Sequence, residues 1–378
     1  MSLTINDKAA AATAAEPAGG RARRRPNLGE LLIEGRSLIA LVLIIVLFTA
    51  LAPDQYLTVD SLIVMTRHVA INAIIALGML LVILTGGIDL SVGSTVGLSG
   101  VVAGGLLQGL HLSWADVTVY PALWVVIVVA IAIGTLVGWC NGVLVTRFKV
   151  APFVATLGMM YVARGAAMLL SDGKTFSQLA GQPELGNQGF RGIGLGEFPP
   201  KEWLGHGIPT GIWVMVAVGL IAYVLLGRTP FGRWLYAVGG NARAAELSGV
   251  PVKKVETRVY VLCGFASAVV GLIIASELSA AAPQTGESYE LNAIAAVVIG
   301  GAALSGGRGT VRGTLIGAFV IGFLSDGLVI VGVSEFWQRV IKGLVIIAAV
   351  ALDQLQQGLK RRPAAPADPG KRPSAPEA

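Results

Sequence analysis

Charge is what this sequence has least of. Only 13% of its 378 residues are Asp, Glu, Lys or Arg, against 54% apolar, which leaves too little polar surface to coat a soluble globule. The class is a polytopic membrane protein. Cysteine is nearly missing: Cys140 and Cys263 fall in apolar runs far apart in sequence, which fits small helix-packing residues better than a disulfide or a metal pair. The three histidines, His68, His111 and His206, are too scattered for a ligand cluster. Catalytic signatures are also missing. There is no G-x-S-x-G, HExxH or paired-cysteine motif, and GGAALSGGRGT at 300–310 lacks the Gly-Lys-Ser/Thr ending of a phosphate loop. No catalysis, metal or resident cofactor is expected of the chain itself. Finally, no cluster of acids lies near the middle of the apolar runs, where a proton- or sodium-driven carrier typically buries them. An energy source outside the chain follows.

What is present is a series of ten apolar runs of spanning length, near 37–52, 62–85, 90–108, 120–145, 151–170, 211–227, 257–279, 291–305, 310–333 and 337–355. The loops between them alternate in charge. One set carries Arg147 and Lys149, the basic stretch 228–258, Arg308 and Arg312, and then residues 360–362; the other carries Asp54, Asp60, Asp116, Glu287, Glu290 and Glu335 with scarcely a basic residue. Because basic loops stay in the cytosol, both termini are expected there, and the same rule accounts for the net charge of +6 without nucleic acid. Residues 1–36 read as a disordered basic arm and 356–378 as a disordered Pro/Ala-rich tail, with the transmembrane body at 37–355. The first run ends in a cleavage-site mimic, Ala50-Leu51-Ala52, but Pro53 follows, so it reads as an uncleaved anchor. The one long external loop, 171–210, is large enough to touch a partner.

Within 228–258, Asn241 as N-cap, ARAAELS, and then Gly249 and Pro251 read as a short helix at 242–248. A helix of about two turns is marginal alone, so it rests either on its own bundle or on a soluble partner. Its small residues Ala244, Ala245 and Ser248 would face that partner, while Arg243 and Glu246 set register. The second and third runs are split only by residues 85–89 (TGGID), where glycines stop one helix and Asp89 caps the next. This is either a plain hairpin or an interruption that exposes helix ends to a translocation path. In the third run, Gly93/Gly97 and Gly100/Gly104 have small-xxx-small spacing for close packing. Hydroxyls between them can instead meet a polyhydroxylated solute, and the path candidates are Asn72, Asp89, Ser91, Ser94, Thr95, Ser99 and Asn292. A shift of 220 residues lays 72–74 on 292–294 and 84–87 on 304–307, and a competing shift of 196 lays 101–105 on 297–301. Either makes two related halves around a central loop. Of the ionisable residues inside runs, Asp326 and Lys342 read as a structural ion pair, and Arg164 either snorkels or lines the path.

Four stretches, GGIDLSVGS (86–94), APFVATLGMMYVARG (151–165), FGRWLYAVGGNARAAELSGV (231–250) and YELNAIAAVVIGGAALSGGRGTVRGT (289–314), together resemble the membrane permease subunits of ribose/xylose-type sugar ABC importers. The resemblance covers about 37–355 and implies an all-α fold of ten helices like that of the vitamin B12-type importer permeases. It also implies a permease homodimer in the bacterial inner membrane, a cytosolic ABC ATPase that binds ATP and Mg, and a periplasmic sugar-binding protein. In that family the Glu-x-x-Gly loop, here Glu246 to Gly249, is where the ATPase docks, which assigns coupling to Arg243, Ala244, Ala245, Glu246, Ser248 and Gly249. The implied solute is a monosaccharide or sugar alcohol. A secondary, ion-coupled sugar carrier is the alternative, disfavoured by the missing acids; an enzyme acting on lipid-linked sugar is disfavoured by the missing acid/base constellation.

Overall fold

The computed structural model describes residues 35–112, 116–181, 187–200 and 206–360, with side chains to 351. The chain divides into units 1–36 and 37–378, and the second of these forms the helical body. The expected arm and most of the expected tail lie outside the described residues. Residues 356–360, expected to be tail, instead continue the last helix.

In chain order the helices are α1 (Arg36–Leu51), α2 (Val59–Leu84), α3 (Val92–Gln108), α4 (Leu123–Thr146), α5 (Pro152–Ser171), α6 (Arg191–Leu195), α7 (Thr210–Arg228), α8 (Pro230–Gly240), α9 (Ala242–Leu247), α10 (Val252–Leu278), α11 (Tyr289–Ile299), α12 (Val311–Ile330) and α13 (Glu335–Lys360). Each of the ten apolar runs falls on one of them. Among the described residues six, namely α2, α4, α5, α7, α10 and α12, are both long and apolar enough to cross a membrane, so the all-α polytopic class holds. The run at 291–305 is helical only as far as Ile299, because Gly301 turns the chain out of the helix at φ +90°.

Two helices form the centre. Within α2 and α10, 83% and 78% of the apolar window is buried inside the protein, against 22–28% for α4, α5 and α7 at the rim. Glycines bring α4 onto α10: a Cβ on Gly134 would stand 2.9 Å from the Gly264 carbonyl oxygen, one on Gly142 would stand 2.8 Å from Thr257 Cα, and one on Gly138 would collide with the Tyr260 carbonyl. In hydrocarbon, where burial drives little, this close backbone approach is what holds helices together. An aromatic cluster does the same at another end, with Tyr56 between Phe48 and Phe323 at 5.4 and 6.5 Å and its hydroxyl donating to the Phe323 carbonyl at 3.2 Å.

The expected external loop, 171–210, is fastened to the bundle rather than free. β3 (Phe176–Ser177) pairs antiparallel with β4 (Ala280–Ala281), Phe190 and Leu179 are buried, and Ser276 Oγ donates to the Phe190 carbonyl at 2.6 Å while accepting from Gly194 N at 2.8 Å. A second small hairpin, β1 (Leu110–Leu112) with β2 (Val117–Val119), lies between α3 and α4.

Candidate functional site

The central basic stretch folds as the α8–α9 pair. Thr229 caps α8 by accepting from Gly232 N, with Pro230 in the first turn. Tyr236 then donates its hydroxyl to the Gly309 carbonyl at 2.8 Å; burial pushes that hydroxyl above its ordinary pKa, so it stays a donor. Asn241 accepts from Ala244 N at 2.9 Å, as its cap position dictates. The far end closes with Gly249 at φ +84° and Val250 N donating to the Ala245 carbonyl at 3.0 Å, an end that glycine alone enters without steric cost. Arg243 and Glu246 pair at 2.7 Å on the exposed surface.

The structure corrects one coupling residue. Ala245 is buried, 5% exposed, and packs into the body of the protein, so it is the foot of α9 and not part of a partner-facing surface. The exposed side presents Arg243, Ala244, Glu246, Ser248 and Gly249 and also Leu247, 75% exposed, which a criterion of small side chains misses. Its signal in the sequence was a lone large apolar residue in a polar loop.

α8 seats on two glycine turns. Gly86 and Gly306, 220 residues apart, adopt φ +81° and +85°, and the turns touch through Gly307 N donating to the Leu84 carbonyl at 3.0 Å. Gly239 lies so close to Leu84 and Gly307 that a Cβ would collide with both. The 220-residue relation is matched at Gly86 and Gly306 but not beyond them, since Gly307 has φ +71° where Gly87 has none in that region, and α11 ends at Ile299 where α2 runs to Leu84. The basic loop that carries α9 is therefore in contact with the turns at the ends of α2 and α11.

Beyond Gly86 the chain runs non-helically to Val92. Asp89 is 1% exposed and accepts from Ser91 N at 2.9 Å and Ser91 Oγ at 2.7 Å, while Asn141 on α4 donates to Ser91 Oγ at 2.8 Å. Cys263 on α10 is fully buried and close enough to Asp89 to feel its charge. Of the expected path residues, Asp89, Ser91, Thr95 and Ser99 are therefore placed in packed interior. Asp89 and Ser91 satisfy each other, Thr95 back-bonds to the Ser91 carbonyl at 2.9 Å, and Ser99 is fully buried where α3 crosses α4 and α10. Asn72 donates to the His68 carbonyl at 3.3 Å, and Asn292 is half-buried on α11.

Ser94 lines a cavity of about 350 Å³ with Tyr161, Arg164, Gln284, Glu287 and Glu290. Beside it Gly93 and Gly286 face each other with no room for a Cβ on either, so the first turn of α3 and the non-helical segment before α11 meet backbone to backbone. Arg164, near the middle of α5, neither snorkels nor stands free. It donates to the Pro283 carbonyl and, at 3.0 Å, to the Thr285 carbonyl, giving carbonyls outside any helix the partners that hydrocarbon cannot supply.

A second polar group lies between α2, α10, α12 and α13. Arg67 stands 3.9 Å from Glu277, and His68 Nδ1 lies 3.0 Å from Asp326. The expected Asp326–Lys342 pair is corrected accordingly: Lys342 is near enough to feel the Asp326 charge, but the bond is made to His68, which α2 brings against α12.

A family model described as a branched-chain amino acid transport system permease component matches residues 61–350. A ribose import permease protein of Haemophilus influenzae is 43% identical over 328 residues, covering 86% of this chain and 95% of the relative. A ribose import permease protein of Bacillus subtilis is 44% identical over 311 residues, with 82% and 90% covered. A xylose transport system permease protein of Escherichia coli is 33% identical over 361 residues, with 83% and 90% covered. No solved structure matches the chain.

Proposed function

The chain belongs to the family of permease components of ABC-type importers, and from that premise we propose that it carries a monosaccharide, with a pentose such as ribose or xylose foremost, from a periplasmic binding protein into the cytoplasm. The observation that carries this reading is the 43% identity to a ribose permease over nearly the whole of both chains. The family description names amino acids, but three relatives matched end to end bear pentose names, and similarity of that extent outweighs a family-wide label.

The chain is a transport permease and not an enzyme. ATP and Mg belong to a cytosolic ATPase partner, which docks on α9. The exposed Arg243, Ala244, Glu246, Leu247, Ser248 and Gly249 meet it, and Ala245 anchors the helix behind them. Contact of the α8–α9 unit with both glycine turns gives docking a mechanical route to the ends of α2, α3, α11 and α12. Ten spans with both termini cytosolic, a vitamin B12-type arrangement and a homodimer complete the reading; the charge alternation of the loops supports the orientation. The loop at 171–210, packed on the ends of α3 and α10, is the surface offered to the binding protein.

The test is uptake into proteoliposomes that hold permease, ATPase and binding protein. Uptake is expected to stop with a non-hydrolysable ATP analogue and to survive a protonophore; the opposite pattern would move the chain to the ion-coupled carriers.

A further inference from the structure

Glu287 and Gln284 are exposed at the rim of the cavity between α3, α5 and the 283–290 segment, and Glu290 is half-buried beside them. Their depth is set by what they accompany: Arg164 lies seven residues before the end of α5 at Ser171, about 10 Å at 1.5 Å per residue, and it holds the 283–285 backbone at that level. A carboxylate at such depth that faced lipid would be very unfavourable. Glu287 makes no ion pair among the described residues, although the Arg164 charge is close enough to be felt. A mouth that opens on water rather than lipid accounts for both acids.

Resting on the sugar-importer reading, we infer that this cavity is a contact station for the polyhydroxylated solute. Arg164 is a positioning residue, since its Nη1 donates to the Pro283 and Thr285 carbonyls. The carboxylates of Glu287 and Glu290 accept from neighbouring hydroxyls, which ionised acids do with up to four lone-pair positions each. Ser94 and Gln284 supply donors. Tyr161, 70% exposed on α5, offers an aromatic face to the C–H side of a sugar ring, and the methionines Met160 and Met168 complete an adaptable apolar wall. The volume, about 350 Å³, lies at the small end of the roughly 300–1,000 Å³ typical of small-molecule sites, and apolar walls with a few convergent polar groups are what such sites share. The close approach of Gly93, in the first turn of α3, and Gly286 sets the backbone that carries Ser94 against the segment that carries Glu287, so a shift of either changes the shape of the cavity.

The experiment places Cys at position 287 (Glu287→Cys) in a Cys140→Ala/Cys263→Ala background and assembles it with ATPase and binding protein in proteoliposomes, with ribose and xylose as probes. Labelling with a hydrophilic thiol reagent is expected to be slowed by sugar during ATP-driven turnover, and completed labelling is expected to stop uptake while binding protein still stimulates ATP hydrolysis. Glu287→Gln, which keeps the shape, is expected to lower uptake about tenfold, the loss of one charge-assisted hydrogen bond. Labelled protein that transports at the unlabelled rate, or labelling indifferent to sugar, overturns the contact station. The wild-type chain and the background variant without Glu287→Cys are the controls: if the wild type moves neither sugar under ATP, the pentose reading itself has failed, and the cavity with it, and the background variant must match the wild type for the labelling to be read.

Discussion

Leu247 is the sharpest test of how the chain meets its ATPase. Its side chain is 75% exposed, on a helix whose opposite side is fixed by buried Ala245 and capped by Asn241. Fully burying a leucine is worth about 1.5–3 kcal/mol. Covering the three-quarters that is open in the free subunit should contribute about 1–2 kcal/mol to docking, or roughly tenfold in Kd at 1.4 kcal/mol per decade. Leu247→Ser should therefore weaken ATPase association about tenfold, with melting of the detergent-solubilised permease unchanged, since exposed substitutions usually move stability by under about 0.5 kcal/mol. Ala245→Trp is the contrast. It forces an indole into packed interior and should lower the yield of folded protein, so any loss of coupling would follow from damage to α9. The assay is titration of ATPase onto permease in nanodiscs, beside a thermal melt of each variant. An unchanged Kd for Leu247→Ser would refute the docking face, and the coupling surface would then have to lie off α9.

The remaining predictions concern the frame. Gly138→Leu should abolish the folded monomer on fluorescence-detected size exclusion, because its side chain would enter the Tyr260 backbone, whereas Gly227→Ala, with nothing within 4 Å of its Cβ position, should be tolerated. Glu277→Ala should lower the folded yield by leaving Arg67 unpaired, and Arg67→Ala/Glu277→Ala should recover part of it, because a lone buried charge costs more than none; a strictly additive double variant would show that the two do not interact. Tyr56→Phe should cost about 1 kcal/mol for the lost bond to the Phe323 carbonyl. Burial, with a smaller contribution from Asp326, lifts the Tyr56 hydroxyl from 10.0 to about 12, so its stabilisation is complete below pH 10 and lost as pH rises to about 12. The melting temperature should accordingly fall less over that window in Tyr56→Phe than in wild type.

The class, the helices and the shape of α9 were legible from the sequence because each rests on local chemistry. Apolar length marks the long helices, and Asn241 and Gly249 sit where a short helix must start and stop. The family was legible too, since four ordered stretches carry it. What the sequence did not reveal is which side of each helix turns inward. In a soluble protein the polar face marks itself, but α4 and α5 are apolar all round, so periodicity carries little contrast there. Ser91, Thr95 and Ser99 looked like a path and proved to be packed, and Gly134, Gly138 and Gly142 went unread although they set the α4–α10 contact. Asp326 was matched to the neighbouring helix in sequence, while packing brought it to His68, 258 residues away. The cavity at Ser94 is the clearest case: α3, α5 and the 283–290 segment meet there because two glycines allow two backbones to touch. That meeting of distant segments is a property of the tertiary structure alone.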